Sequence, residues 1–321
     1  MENPKFQYQP RILASSDDDI RFKGSSGGVI SQIIKYLFDT KEIKSAIGFK
    51  FSGIELFEPY LFYRVDDYIQ SGSIYHDINI YKFLHENIKD IQSPVLITCL
   101  PCQIQPIKRL LQNNKIDSVI VSLVCSSQLD KEATYYFLEK NDIDISSVKE
   151  FRYRGNGWPS GIQIKTTDKN YFFHNNTSKW MDVFHSQIFT MKKCFSCKDT
   201  FGLNADFSIA DPWLDRYINS DKIGSSIVVA HTQKGEALVK DMIFHNSLAF
   251  LEDLSQEEVV LSQRGTLIKK YIYLKYKKYI TPIIKTFKSS YYKKNFYYIS
   301  KIHRVLFFKF IAILKRIEGL K

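Results

Sequence analysis

The sequence predicts an α/β fold: a mixed sheet with βαβ units flanked by helices, followed by a basic helical C-terminal extension. Strand-like and helix-like stretches alternate from about residue 24 to residue 232, which favours this class over a helical bundle or a β-sandwich. The 321 residues, 44% of them hydrophobic, suffice for one large core or two modest ones. We divide the chain into an N-terminal extension (1–22), a core (23–250) and a basic C-terminal region (251–321).

The first elements flank a glycine-rich loop, KGSSGG, at residues 23–28. Apolar residues then recur at helical spacing over 29–37, which predicts a helix. Strands are predicted at 45–51 and 60–65, and a helix at 81–88. The loop fits two interpretations, because its glycines and the free N–H groups of the helix start can cradle a phosphate or can simply cap the helix.

The next segment is a predicted βαβ unit, with strands at 94–98 and 118–124 around a helix at 103–111. The two strands of such a unit are parallel and their crossover is right-handed. Residues that leave the ends of both strands therefore meet at the carboxyl edge of the sheet, where α/β proteins place their sites. Three cysteines lie there: Cys99, Cys102 and Cys125.

Beyond this unit the same patterns complete the core. Strands are predicted at 150–154 and 162–166 around the turn GNGWPSG, followed by a helix at 180–190. Further strands at 206–210 and 226–230 precede a helix at 235–246.

Two segments beside these strands combine charged and aromatic side chains. In residues 152–159, arginine can fork onto a phosphate or carboxylate, and tryptophan can stack on a flat ring. Asp211, Pro212 and Trp213 follow a predicted strand. Each segment also fits a structural role, as a hairpin with an aromatic plug or as a loop cap.

The cysteines indicate both compartment and chemistry. Five cysteines and a polar start argue against a disulfide-rich secreted protein, so we expect a cytoplasmic one. Cys194 and Cys197 form a CxxC pair, and with Cys102 and Cys125 they make the four thiolates that tetrahedral zinc or a cubane cluster needs. Zinc more often uses two compact pairs, so this set favours a cluster. The alternative is that Cys99, Cys102 and Cys125 are buried small hydrophobes.

The formal net charge of +11 comes from the end of the chain. Residues 261–321 hold 16 of the 45 Lys and Arg and one acid, Glu318, whereas residues 1–260 hold 29 basic and 33 acidic residues. Apolar residues at helical spacing over 302–317 predict a basic amphipathic helix, which would either lie peripherally on the inner face of a membrane or dock on the core. No apolar run approaches the roughly 20 residues of a transmembrane helix, and no nucleic-acid partner is expected.

Six motifs, taken in order, resemble the coenzyme F-420 hydrogenase/dehydrogenase beta subunit family: GSSGGVISQI, LPCQIQPIKRLL, SLVCSS, FRYRGNGWPSG, CFSCKD and ADFSIADPW. The resemblance covers about residues 20 to 245. It implies an oxidoreductase that binds FAD and a 4Fe-4S cluster, with Cys102, Cys125, Cys194 and Cys197 as cluster ligands. It also implies flavin contacts from three of the motifs: Lys23, Gly24, Ser25, Ser26, Gly27, Gly28, Arg154, Gly155, Asn156, Trp158, Pro159, Asp211, Pro212 and Trp213.

The chain differs from the family pattern in two places. Cys99 and Leu100 stand where the family commonly has Gly-Thr, and no cysteine precedes Cys99, so the ferredoxin-like N-terminal region of many relatives is missing. The resemblance thus implies a relay from a separate ferredoxin-like donor, through the cluster and FAD, to an organic acceptor. That acceptor is expected to be a small molecule or a lipid-linked sugar, with relatives in polysaccharide biosynthesis. The alternative is a non-redox member with structural zinc at the cysteines and a basic tail for a membrane or partner protein.

Overall fold

The computed structural model describes residues 4–175 and 179–289, together with positions 309, 312, 313 and 316. Its strands are β1 Arg11–Ser15, β2 Ser45–Phe51, β3 Phe57–Phe62, β4 Val95–Cys99, β5 Ser118–Leu123, β6 Val148–Arg152, β7 Gly161–Thr166, β8 Asn170–His174, β9 Phe207–Ala210, β10 Ser226–Ala230 and β11 Leu248–Asp253. Its helices are α1 Asp18–Lys23, α2 Val29–Asp39, α3 Ile80–Glu86, α4 Pro101–Asn113, α5 Glu132–Glu139, α6 Lys179–His185, α7 Asp215–Ser220, α8 Gln233–Phe244, α9 Gln256–Ser262 and α10 Arg264–Ser289.

The main sheet has eight strands in the order β11-β1-β10-β9-β5-β4-β2-β3. Its centre, β9-β5-β4-β2, is parallel, whereas β3 and the strands β10, β1 and β11 pair antiparallel with their neighbours. The predicted βαβ unit is present as β4-α4-β5, with Val95 opposite Ser118 in parallel register. The predicted α/β class with a mixed sheet is therefore confirmed.

Helices cover both faces of this sheet, because its central strands are apolar on both sides. On one face, Ile33 and Leu37 of α2 pack with α8 against the strands. On the other, Ile104 and Ile107 of α4 pack with α3. Alternate residues of β4 serve the two cores, since Leu96 joins the first and Ile97 the second.

A second sheet, β6-β7-β8, has its own aromatic-rich core with α5 and α6, in which Phe151, Ile162 and Trp180 are buried. The third strand, β8, is not predicted from the sequence. The predicted helix at 180–190 is shorter in the structure and ends at His185. Gln187 adopts a φ of 64°, in the left-handed region, which a right-handed helix cannot include.

The two ends of the predicted core continue into their flanking regions. β1 comes from the predicted N-terminal extension and lies inside the sheet, between β10 and β11. α10 comes from the basic C-terminal region and contacts the turn that carries Cys194. The amphipathic helix expected at 302–317 lies outside the described residues apart from four positions. Over the described ranges, no helix combines the length and the apolar character that spanning a membrane requires.

Candidate functional site

Four cysteines from three separate segments line one cavity of about 50 Å³. Cys102 lies in the first turn of α4, and Cys125 follows the end of β5. Cys194 and Cys197 lie in and just after a 3-10 turn at Lys192–Ser196. The parallel pairing of β4 and β5 brings the first two together, as predicted from their strand ends.

Main-chain hydrogen bonds hold the loop after β5 against the CxxC segment. The Cys125 N–H donates to the Thr200 carbonyl at 3.0 Å, and the Met191 N–H donates to the Gln128 carbonyl at 3.0 Å. The Gln128 N–H in turn donates to Cys194 Sγ at 3.3 Å. These contacts hold Cys125 and the CxxC pair in fixed relative positions.

The thiols of this cavity differ in acidity because their surroundings differ. Hydrogen bonding to Cys102, assisted by the charge of Lys270, lowers the pKa of Cys197, and the same hydrogen bond raises the pKa of Cys102. Burial raises the pKa of Cys125 to about 11. The contact with Cys102 and the charge of Lys270 therefore favour the thiolate of Cys197 over that of Cys102.

Two lysines of α10 reach this cavity. Lys270 Nζ lies 3.4 Å from Cys197 Sγ, and it also donates to the Asp199 carbonyl. Lys269 Nζ lies 2.7 Å from Ser127 Oγ, and burial lowers the pKa of Lys269 to about 8. Cationic donors beside thiolates are an established means of stabilising the negative charge of a thiolate-bound metal centre.

The donor set fits an iron–sulfur cluster, and equally tetrahedral zinc, because both take four thiolates. Over residues 4–175 and 179–289, no group of three or more His, Cys, Asp or Glu side chains has the spacing that holds a metal ion. The four cysteines nevertheless line one cavity. Their assignment as cluster ligands stays a prediction.

Cys99 belongs to a different environment. It is the last residue of β4, packs among core residues such as Ile97 and Ile104, and lines the wall of a second cavity rather than that of the four cysteines. Burial raises the pKa of Cys99 to about 12, so its thiol is protonated at neutral pH.

The second cavity is a groove of about 180 Å³, more than three times the volume of the cysteine cavity. Its walls come from the predicted glycine-rich loop and the start of α2, from β2, from the segment 68–80 and from the end of β4. Gly24, Ser25, Ser26 and Gly28 of the loop line it.

Gly28 shows why this loop requires glycine. It has a φ of 69° immediately before α2, and a Cβ there would lie 2.6 Å from the Ile20 carbonyl oxygen. The first N–H groups of α2 begin at this point, beside the groove. A helix start of this kind favours an anionic group such as a phosphate.

Two unpartnered acceptors belong to residues of the groove wall. His76 Nε2 and Gln128 Oε1 are buried without a hydrogen-bond partner, and both residues line the groove. Burial lowers the pKa of His76 to about 4, so its ring is neutral at pH 7. Its Nδ1 lies 3.2 Å from the Asp77 carbonyl and donates to it, which leaves Nε2 as an acceptor. A ligand with N–H donors on a ring edge would satisfy both atoms.

Leu100 and Gln128 line both cavities. The cysteine cavity and the groove therefore share a wall, and a group bound in one lies next to a group bound in the other.

Several residues predicted as flavin contacts lie elsewhere than on the groove wall. Lys23 is exposed and pairs with Asp19 at 2.7 Å. The Gly27 N–H donates to Ser226 Oγ at 2.9 Å, and its carbonyl accepts from the Ser15 N–H, which ties the loop to the sheet.

The remaining predicted contacts include a cluster of linked side chains that contacts the glycine-rich loop through Arg154. Arg154 makes a bidentate ion pair with Asp211, at 2.7 and 3.0 Å, and donates to the Ser25 carbonyl. Trp158 donates to Asp211 at 3.4 Å and packs on Trp213 with ring centroids 5.1 Å apart. The rest of the predicted set belongs to the turns that carry these side chains: Gly155, Asn156, Pro159 and Pro212.

Sequence reasoning does not identify four residues at these sites: His76, Gln128, Lys269 and Lys270. The first two have no motif, and their role emerges from unpartnered atoms in the folded chain. For the lysines one signal is available, because the adjacent pair interrupts an apolar spacing between Ile268 and Ile272.

Comparison with known proteins agrees with this arrangement. Two family models match, both described as coenzyme F420 hydrogenase/dehydrogenase: the N-terminal part of the beta subunit over residues 12–84, and its C-terminal part over residues 93–253, just over half of the chain. No curated protein matches the chain. Among solved structures, a chain of the xenon-derivatised F420-reducing nickel–iron hydrogenase complex from Methanosarcina barkeri superposes with a TM-score of 0.63 and 16% identity, over 84% of this chain and 93% of that one.

The fold is thus shared with a chain of that complex, and the family matches include the four cysteines and the residues that line the groove, but not α10. The resemblance predicted from the six motifs is confirmed. The chain belongs to the coenzyme F420 hydrogenase/dehydrogenase beta subunit family, a family of iron–sulfur oxidoreductases.

Proposed function

We propose that this oxidoreductase transfers electrons through a 4Fe-4S cluster held by Cys102, Cys125, Cys194 and Cys197 and through FAD held in the groove. The observation that carries the proposal is the shared wall: Leu100 and Gln128 line both cavities. A bound cluster exchanges single electrons and a bound flavin exchanges one or two, which lets a one-electron donor serve a two-electron acceptor.

In this proposal the chain's residues bind and orient the flavin. The start of α2, preceded by Ser25, Ser26 and Gly28, would hold its phosphates. His76 Nε2 and Gln128 Oε1 would accept hydrogen bonds from the ring system at the other end. The ring would then lie next to the cysteine cavity.

We further propose a separate ferredoxin-like protein as the electron donor, because Cys102, one of the four cysteines that line the cavity, is exposed to solvent. The Methanosarcina barkeri structure is of a hydrogenase complex, which supports a protein partner for this fold. The acceptor proposed from the resemblance is a small molecule or a lipid-linked sugar in cell-surface polysaccharide biosynthesis.

The test is cofactor analysis of protein purified without oxygen. We expect about four irons, matching sulfide and bound flavin per chain, with a visible band that bleaches on reduction. Single changes of Cys102, Cys125, Cys194 or Cys197 to Ser should reduce iron sharply, whereas Cys99→Ala should retain it. His76→Leu should lower bound flavin and leave iron unchanged, because it removes an acceptor in the groove alone.

A colourless protein loaded with zinc would contradict the proposal. It would favour the non-redox alternative, in which the same cysteines hold structural zinc.

A further inference from the structure

α10 lies outside the residues that match the family, which end at 253, yet it packs directly on the cysteine site. One face of the helix buries Ile268, Ile272 and Tyr273 against Phe195. The rings of Tyr273 and Phe195 have centroids 4.7 Å apart. Since Phe195 lies between Cys194 and Cys197 in sequence, this contact holds the helix against the CxxC turn.

The same face of α10 carries two ammonium groups into the protein. Lys270 is 4% exposed, and its Nζ contacts Cys197 Sγ and the Asp199 carbonyl. Lys269 contacts Ser127, which lines the cysteine cavity. In the part of the chain that the structure describes, the printed partners of Lys269 and Lys270 are a hydroxyl, a thiol and a carbonyl, none of them a carboxylate. A buried ammonium requires a compensating negative charge, and the neighbouring thiols can supply it once they ionise.

We propose that α10 is a functional part of the metal site in this chain, with Lys270 as a positioning residue that stabilises the reduced, more negative state of the centre bound by the cysteines. The proposal rests on the cluster of the proposed function. It goes beyond that function because it assigns a role to a helix outside the family match.

The electrostatic consequence has a definite sign. Reduction adds one negative charge to the bound centre, and a fixed cation hydrogen-bonded to Cys197 favours that added charge. Loss of the cation should therefore make reduction harder. For Lys270→Met we expect about a tenfold loss in the reduction equilibrium constant, which corresponds to about 59 mV for one electron.

The experiment is a redox titration of the full-length, anaerobically purified chain with dithionite, followed by electron paramagnetic resonance. Lys270→Met should lower the midpoint potential by about that amount at unchanged iron content. Lys270→Arg, which keeps the charge and the donors, should restore most of the shift. Lys278→Met, an exposed position on the same helix, is the matched control and should leave the potential unchanged.

A fully iron-loaded Lys270→Met protein with the wild-type potential would overturn the proposal. If Lys270→Met does not fold, Lys270→Gln and Lys270→Arg are compared instead, and equal potentials for these two would also overturn it. Iron and sulfide are measured first on the wild-type chain. A wild-type protein without iron contradicts the proposed function itself, whereas full iron with an unmoved potential contradicts only the role of Lys270.

Discussion

Arg154 shows how a residue chosen for its ligand chemistry can have an architectural role. Its side chain is 4% exposed and forms two hydrogen bonds to the carboxylate of Asp211. Burial acts to lower the pKa of Arg154, but the charge of Asp211 outweighs it and raises that pKa. The guanidinium also donates a hydrogen bond to the Ser25 carbonyl, so it helps to fix the conformation of the loop that lines the groove.

Removing the carboxylate of Asp211 should therefore destabilise the folded chain. We expect Asp211→Asn to lower the free energy of unfolding by about 3 kcal/mol, because it leaves a buried guanidinium without a counter-charge. Denaturant unfolding monitored by circular dichroism measures this. The exposed pair Arg64–Asp67 is the control, and Asp67→Asn should lower the free energy of unfolding far less, because solvent screens this pair. Equal effects of the two substitutions would contradict the role given to Arg154.

At the scale of elements, the sequence predicts the helices and strands whose positions are set by local apolar patterns. β4, α4 and β5 lie within two residues of their predicted starts and ends, because apolar runs and a short connection specify buried parallel strands. β8 is not predicted, since it is a five-residue edge strand without a fully buried residue.

The docking of α10 cannot be predicted from its own sequence. A pattern of Lys and Tyr with a few apolar residues fits a solvated helix as well as a packed one. Its partner, Phe195, is more than 70 residues away in the chain. For the same reason the sequence alone places three cysteines at one sheet edge, whereas the addition of Cys194 and Cys197 depends on cysteine count and family resemblance.

The pairing of β9 with β10 has a consequence for pH dependence. His231 follows β10, and its Nε2 lies 2.9 Å from Ser208 Oγ on β9. Burial lowers the pKa of His231 to about 4, against about 6.5 for a free histidine. Between these values the unfolded chain binds a proton that the folded chain does not, so stability falls as pH falls, by up to about 1.4 kcal/mol per pH unit.

We therefore expect His231→Gln to flatten the dependence of unfolding free energy on pH between about 6.5 and 4, since Gln keeps a polar group near Ser208 but does not titrate. Urea unfolding at a series of pH values measures the slope. Some slope should persist, because the pKa of His76 is also lowered to about 4 by burial. His85→Gln, at an exposed position of α3, should leave the profile as it is in the wild type, and an unchanged profile for His231→Gln would refute the prediction.

At the scale of the whole molecule, the positive charge of the C-terminal region is divided between two roles. Lys269 and Lys270 belong to the 16 basic residues after position 260, yet they lie against the cysteine cavity of the core. Composition predicts a separate basic extension. In the structure its first helix packs against the cysteine cavity, because the apolar face of α10 is buried and the CxxC turn offers Phe195 as an aromatic surface for it.

The cysteine site also joins distant parts of the chain, from Cys102 at the start of α4 to Cys197 after the second sheet. A centre bound to all four thiolates stabilises the folded chain, because the unfolded chain does not present the thiols together. When the concentration of the metal centre is far above its dissociation constant, binding adds a few kcal/mol to the free energy of unfolding. Chelation of iron after mild oxidation should therefore lower the thermal midpoint by roughly 5–10 °C. Differential scanning calorimetry before and after chelation measures this shift. The midpoint of Cys99→Ala should shift as in the wild type, and that of Cys197→Ser should not shift. If the midpoint of an iron-loaded wild-type chain does not move on chelation, the four cysteines do not bind the metal together.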